Sequence, residues 1–558
     1  MKIPTFAILA IATLLAATSA AAADSGPSPE SLRKFESQRF GMFIHWGPVS
    51  LTGYELGWSR GNQTPAAEYD QLYHRFNPVR FDADQWVRIA KDAGMRYVVL
   101  TAKHMDGFCL WDTHQTDYNI MNSPFKRDIV AEMSRACARG GMDFGAYYCI
   151  ADWYNPWYPF FGPYKGPTQT PRKPTTDLER YNLYVMKQVA ELIGNYGPLE
   201  CLWFDSMTGG DSEERGRRLV SFARAMQPNI LINNRSGVPG DYVTPEERIG
   251  RYRDDRPWES CMMIGTQWSW KPNDALKSFP QLLRALVYCS GGDGNLLLDV
   301  GPRADGTIEP RTVARLREIG DWLGRYGESI YDTRGGPYKP TSYLASTRRG
   351  NFVYLHIIRW FDGPLVVPAL PGRIVAATLL TGGTVRASQA DGALTVDVAP
   401  ADRQRIDTLV RLEMDRPAAT FAPIALPREV TITASATMAP EAQHSPAFAA
   451  DNDPETEWSA PEGQTTGSLE LNFVHPRTIR AIKLEEKARP HLMQSFDIAR
   501  WDQGKWVTLA AKTVPVKSVG PDYSVDFPPV TIQRLRVRIL KSKGTAALTE
   551  VVITDVDP

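Results

Sequence analysis

The chain has 558 residues, 63 acidic and 63 basic side chains, and 43% hydrophobic residues. That length exceeds what one hydrophobic core serves, so two to four domains are expected. A formal net charge of zero removes the electrostatic argument for a nucleic-acid partner or an anionic membrane surface.

The chain opens "MKIPTFAILAIATLLAATSAAAADSG". Lys2 supplies a positive start, Phe6 to Leu15 an apolar stretch, and Ala21 and Ala23 a small-residue cleavage pattern. This predicts a signal peptide over 1–23 and an exported, periplasmic or secreted protein. No later segment has the 18 apolar residues of a membrane span. The six cysteines (Cys109, Cys137, Cys149, Cys201, Cys261 and Cys289) show no CxxC spacing for zinc. Several sit in strand-like runs, so most are expected as buried free thiols.

From about residue 38 to 335, apolar strand patterns alternate with helical ones. The strand candidates are "RFGMFIHWG", "RYVVLTAKHMDGF", "MDFGAYYCIADW", "LECLWFDSM", "NILINNRSG", "CMMIGTQWSW" and "NLLLDVGP". Helix patterns such as "FDADQWVRIAKDAG" and "RDIVAEMSRACARGG" lie between them. The alternation predicts a (β/α)8-like barrel over 24–335. A doubly wound sheet is the rival, but no GxGxxG or Walker-type loop follows any strand. Polar and aromatic residues gather at the strand ends: His45, Lys103, His104, Asp106, Asp152, Asp205, Asn233, Asn234 and Arg235. In a barrel these ends converge on one face, where active sites lie.

From 336 to 425 the helical pattern disappears, and runs such as "NFVYLHIIRW" and "IDTLVRLEM" predict a β-sandwich. A Pro/Ala-rich linker follows. Residues 429–558 form a second β-rich unit, with strands such as "GSLELNFV" and "RLRVRIL".

A pocket of carboxylates, histidine and tryptophan without a phosphate loop suits glycoside hydrolysis, which needs two carboxyl groups. One is ionised as nucleophile or base, and the other is protonated as acid. Asp205, at the end of the fourth strand, is the first candidate, against the simpler role of a loop or helix cap. Glu259 in "DDRPWESCMM" is the second. Glu246, Glu247, Asp254 and Asp255 compete with it, because sequence gives no distance to Asp205.

The segments "FGMFIHWGPVSL", "EYDQLYHRFNPVRFDADQWVRIAKDAGMRYVVLTAKHMDGFCLWDT", "LWFD" and "GNLLLDVGP" occur in the order that the retaining α-L-fucosidase family shows, and the chain resembles that family over about residues 30–335. The resemblance implies a barrel followed by a sandwich, hydrolysis of terminal α-L-fucose with retention, and no cofactor for catalysis. It carries the nucleophile to Asp205 and sugar contacts to Trp203, His45, His104, Tyr148, Arg235 and Trp58. The family's "KHHDGF" stands here as "KHMDGF", with Met105 in place of the second histidine. Its Glu-Trp pair is also broken, since Gly57 precedes Trp58, and Glu55 is the substitute candidate. "RPWESCM" resembles a family segment whose glutamate is the acid/base in a branch selective for α-1,3/1,4 linkages. That implies Glu259 in this role and fucosylated oligosaccharides or glycoproteins as substrates.

The C-terminal unit resembles a discoidin-like (coagulation-factor type C) carbohydrate-binding domain, through "AFAADNDPETEWSA" and "ALTEVVI". The resemblance implies a structural calcium, with Asp453 and Glu550 as oxygen ligands. Two other readings stand beside the fucosidase one. The first is a non-catalytic sugar-binding protein with a degenerate barrel. The second is another retaining glycosidase, of α-galactosidase-like type.

Overall fold

The computed structural model describes residues 26–162, 172–207, 212–427, 429–451, 456–486, 492–513 and 523–555. The expected signal peptide lies outside them. The chain divides into two units. One comprises residues up to Arg248, Arg253–Gly335 and Thr347–Arg349; the other comprises Ile249–Tyr252, Gly336–Ser346 and residues from Gly350 onward.

The first unit is built on seven parallel strands: β1 (Phe40–Ile44), β2 (Tyr97–Lys103), β3 (Asp143–Cys149), β4 (Cys201–Asp205), β5 (Leu231–Ile232), β6 (Glu259–Met263) and β7 (Asn295–Val300). Their order is β5-β4-β3-β2-β1-β7-β6. Every residue of β1, β2 and β7 is buried, as apolar runs covered on both faces require. Helices follow the strands, and their starts are written in the sequence. Asp82, Asp128 and Asp177 each accept a backbone N–H from the first turn of their helix, and Ser278 forms a capping box with Gln281. These contacts satisfy N–H groups that have no partner inside the helix.

The (β/α)8-like barrel expected from the sequence is met in part. The sheet is a curled parallel layer of seven, and an irregular stretch takes the place between its two edges. Tyr242 bridges Asn233, just beyond β5, while Val243 and Glu246 bridge Trp258 and Cys261 on the β6 side, all in parallel. Pro245 interrupts this stretch, because proline lacks the N–H that a ladder needs. That is why "DYVTPEE" does not read as a strand.

In the second unit, one sheet includes Phe352–Ile357, Ile374–Leu379 and Thr408–Met414, and a three-stranded sheet joins Leu365–Pro368, Val385–Ala390 and Ala393–Val398. Val353, Leu355, Val410 and Leu412 from the first share one core with Val367, Leu394 and Val396 from the second. The C-terminal part is mainly sheet. Its long strands Gly467–Glu485 and Ser524–Ser542 pair antiparallel, and alternate residues Leu469, Leu471, Leu535 and Val537 enter a separate core. All six cysteines are buried free thiols.

Candidate active site

Side chains two apart on a strand share a face, so Trp203 and Asp205 project together from β4. Tyr147 is the register partner of Trp203 on β3 and stacks on it, with ring centroids 5.5 Å apart. The Tyr147 hydroxyl donates to Asp205 Oδ2 at 2.9 Å. Asp205 Oδ1 accepts the Ser206 N–H at 2.9 Å and lies 3.3 Å from Arg235 Nη1. Ser206 has φ 58°, a left-handed conformation uncommon for a residue with a Cβ, so the chain turns sharply behind the carboxylate.

Arg235 follows β5. Its guanidinium covers the Trp203 ring at 4.7 Å and donates to Thr244 Oγ1 at 2.9 Å and to the Thr244 carbonyl at 3.0 Å. Its Nη1 also reaches Glu246 Oε2 at 2.8 Å. The Glu246 side chain is 44% exposed, so it is anchored at the rim yet open to solvent. Glu247, beside it, is engaged elsewhere: it accepts from the Met263 N–H at 2.5 Å and from Lys277 at 3.1 Å. Asp254 and Asp255 are exposed, and Asp255 pairs with Arg253.

Glu259 lies in a different place from the one its sequence context suggests. It is the first residue of β6, level with Asn295 at the start of β7, whereas Asp205 is the last residue of β4. Glu259 is 1% exposed and bonded to Tyr97 and Trp203. Burial pushes its carboxyl up to about 7. It forms part of the floor under Trp203, and the acid/base expectation for it is corrected on that ground: a carboxyl sealed at the strand start has no path to a departing oxygen at the other end.

Tyr148 needs a second correction. It points to the opposite face of β3 from Tyr147, donates to Gln188 at 2.8 Å and lies under the Lys103 ammonium. Lys103 is itself buried against Asp152 at 3.2 Å. Lys103 and Asp152, counted with the strand-end ring, therefore belong to a buried ion pair behind the sheet. The tyrosine on the Asp205 side is Tyr147.

The two histidines lie together beside Tyr147. His45 Nδ1 is 2.7 Å from Asp299 Oδ1, and burial lowers its imidazole to about 4, so it is neutral near pH 7. His104 stacks on Tyr147 at 5.5 Å, lies 5.7 Å from the His45 ring and is lowered by burial to about 3. Gly57 abuts it. A Cβ at Gly57 would come within 2.7 Å of His104 Nδ1 and 2.6 Å of Met105 Cγ, so the departures at 57 and 105 are neighbours in space, and the glycine makes room for both side chains. Trp58 packs edge-on against Trp153 at 5.8 Å. Glu55 accepts the backbone N–H groups of Trp268 at 2.9 Å and Ser269 at 3.1 Å. It thereby holds the loop that lays Trp268 5.0 Å from His45.

Sequence reading missed Tyr147, Trp268 and Asp299. Tyr147 could have been weighed against Tyr148 only with a strand register. Asp299 lies within the recognised "GNLLLDVGP" run, and a carboxylate inside an apolar strand was an available signal. Asp453 lies outside the described residues. Glu550 is 8% exposed at the start of the strand Glu550–Asp555. Among the described residues, no group of three or more His, Cys, Asp or Glu side chains is arranged to hold a metal, and no helix is long and apolar enough to cross a membrane.

The family model "Alpha-L-fucosidase" matches residues 12–328, and "F5/8 type C domain" matches 431–552. The chain is 28% identical over 383 residues to the alpha-L-fucosidase of Dictyostelium discoideum, covering 60% of this chain and 80% of that protein. Identity to human plasma alpha-L-fucosidase is 27% over 381 residues, with 62% and 79% covered. Among solved structures, alpha-L-fucosidase isoenzyme 1 from Paenibacillus thiaminolyticus is 32% identical, with a TM-score of 0.62 over 69% of this chain and 99% of that one. An alpha-L-fucosidase from Bacteroides thetaiotaomicron, solved as a trapped covalent intermediate with 2-fluoro-fucosyl fluoride in a glutamate-to-glutamine mutant, is 27% identical, with a TM-score of 0.63 over 70% and 97%.

Proposed function

The chain belongs to the alpha-L-fucosidase family of glycoside hydrolases, and on that premise we propose that it is an exo-acting, retaining enzyme with Asp205 as nucleophile and Glu246 as acid/base. One observation carries this reading: Arg235 Nη1 contacts both carboxylates, at 3.3 and 2.8 Å. Two such contacts to one nitrogen hold the carboxylate oxygens within about 6 Å of each other, which suits the ~5–5.5 Å separation of a retaining pair.

An Asp205 oxygen attacks the anomeric carbon as the glycosidic C–O bond breaks. Glu246, open to solvent, swings from Arg235 as the sugar enters, takes up a proton from water and gives it to the leaving oxygen. Water then attacks the glycosyl ester, Glu246 takes its proton, and Asp205 departs as carboxylate. Neutral His45 and His104 present ring nitrogens to sugar hydroxyls, and the part-exposed Trp268, 5.0 Å from the His45 ring, offers an apolar face for the C6 methyl of fucose. Fucosylated oligosaccharides or glycoproteins are the substrates this implies. The α-1,3/1,4 expectation drew on Glu259 as acid/base, so it loses that support, and an oligosaccharide panel decides the linkage.

The test is turnover of aryl α-L-fucoside against aryl α-D-galactoside, with product stereochemistry followed by NMR. Release of β-fucose first would mean inversion and sink the mechanism. Preference for the galactoside would favour the α-galactosidase-like reading, and no turnover of any fucoside would favour a sugar-binding protein. Export predicts a mature protein starting near Asp24, read by intact mass. Calcium at Asp453 and Glu550 predicts that chelation lowers the melting temperature; an unchanged melt argues against it.

A further inference from the structure

The floor of the site holds a carboxyl group that the reaction above does not use. Glu259 is 1% exposed. Its Oε2 accepts the Tyr97 hydroxyl at 2.5 Å and its Oε1 accepts the Trp203 indole N–H at 2.9 Å. The titratable side chains around it are Tyr97, Cys201, Tyr242, Cys261 and Cys289, and none is a cation. A buried carboxyl without a cationic partner is costly, and an apolar residue here would avoid that cost. What the carboxyl provides is an acceptor for the Trp203 indole and for the Tyr97 hydroxyl, and only the indole belongs to a residue packed against the surroundings of Asp205.

Trp203 is also the residue on which the Asp205 surroundings rest. Tyr147 stacks on one side of it and donates to Asp205 Oδ2. Arg235 lies over its ring and contacts Asp205 Oδ1. An indole free to rotate would take both Asp205 partners with it.

We propose that Glu259 is a positioning residue: its carboxyl pins the indole of Trp203, and through the Tyr147–Trp203–Arg235 stack it fixes the direction in which the Asp205 carboxylate points. The proposal rests on the reading of Asp205 as nucleophile. The upward shift of the Glu259 carboxyl to about 7 fits this role, since a neutral carboxyl accepts the indole proton as well, and glutamine is isosteric with that form.

The experiment compares Glu259→Gln, Glu259→Asp, Glu259→Leu and Trp203→Phe, with Glu259→Leu/Trp203→Phe to close a cycle, on an aryl α-L-fucoside. Glutamine is expected to keep kcat within about threefold of wild type. Leucine, which leaves the indole N–H unpaired, is expected to lower kcat about 100-fold, the scale of a misplaced reacting group, with little change in KM and no rescue by azide. Leucine should add little once Trp203 is phenylalanine. Aspartate withdraws the carboxyl by one methylene and is expected to lower kcat about tenfold; it decides the matter should the leucine variant not fold. Wild-type kcat in the leucine or aspartate variant, or additive losses in the cycle, would overturn the proposal. Azide rescue at position 259 would overturn it too, by making Glu259 catalytic. The cycle reads the coupling of Glu259 to Trp203 whichever carboxylate attacks the sugar, so its failure is distinguishable from survival of activity in Asp205→Ala.

Discussion

Arg235 Nη1 lies 3.3 Å from Asp205 Oδ1 and 2.8 Å from Glu246 Oε2, so a single guanidinium joins a strand-end carboxylate to one from the irregular stretch that lies between the sheet's edges. Both carboxylates therefore face one space, although neither sequence spacing nor strand periodicity relates them.

The proposed roles give the two groups separate chemistry, which substitution separates. Asp205→Ala is expected to lose activity by about four or more orders of magnitude, as removal of a covalent nucleophile does. Glu246→Ala is expected to fall about 100- to 10,000-fold and to recover with azide, giving an α-fucosyl azide identified by NMR, because azide replaces water in the second of two inverting displacements. Rescue at Glu247 and none at Glu246 would move the assignment by one residue.

Tyr147 and Tyr148 offer a matched pair of substitutions. Tyr147→Phe removes the donor to Asp205 Oδ2 and is expected to lower kcat about 10- to 100-fold with the melting temperature nearly unchanged. Tyr148→Phe breaks the bond to Gln188 in the buried layer behind β3. It is expected to cost about 1–3 kcal/mol of stability and leave kcat alone. Steady-state kinetics and thermal melts on both variants separate the two faces of the strand.

Glu259 gives a pH dependence of stability with a definite sign. Its carboxyl is raised from 4.5 to about 7 on folding, chiefly by burial. Its contribution is complete below about pH 4.5 and is lost as pH rises through about 7, because the folded protein binds a proton that the unfolded chain releases. Glu259→Gln has no such loss. Relative to wild type, it should gain on the order of 3 kcal/mol between pH 4 and pH 8, measured by denaturant unfolding at each pH. A difference between the two proteins that does not vary with pH would refute this.

Glu55 has a measurable structural task. Removing it in Glu55→Ala leaves the Trp268 and Ser269 N–H groups without their acceptor and frees Trp268 from its place against His45. The expected result is a KM raised about tenfold with a smaller effect on kcat. An equal fall in kcat and kcat/KM would instead mean that Glu55 acts in the transition state.

Much of this protein was legible in its sequence. The seven apolar runs named as strands each contain or overlap one of β1 to β7. Asp82, Asp128, Asp177 and Ser278, which start helices, are residue types suited to capping, and Asp205 stood out as a carboxylate that ends an apolar run. These features are local: hydrophobic period and hydrogen-bond capping are properties of neighbouring residues.

The tertiary structure decided what depends on register and on chain ends meeting across the fold. Strand alternation makes Tyr147 and Tyr148 equivalent candidates until pairing with β4 puts Tyr147 on the Asp205 side. The segment "PWESCM" shows a glutamate before apolar residues, but only the pairing of Glu259 with Asn295 puts it at the floor. Tyr242 to Glu246, broken by a proline, carries no strand signal, and it acquires its place from bridges to β5's continuation and to β6. Side-chain direction has a period of two, and which end of a strand faces the substrate follows from parallel packing, so both are fixed only when distant segments pair.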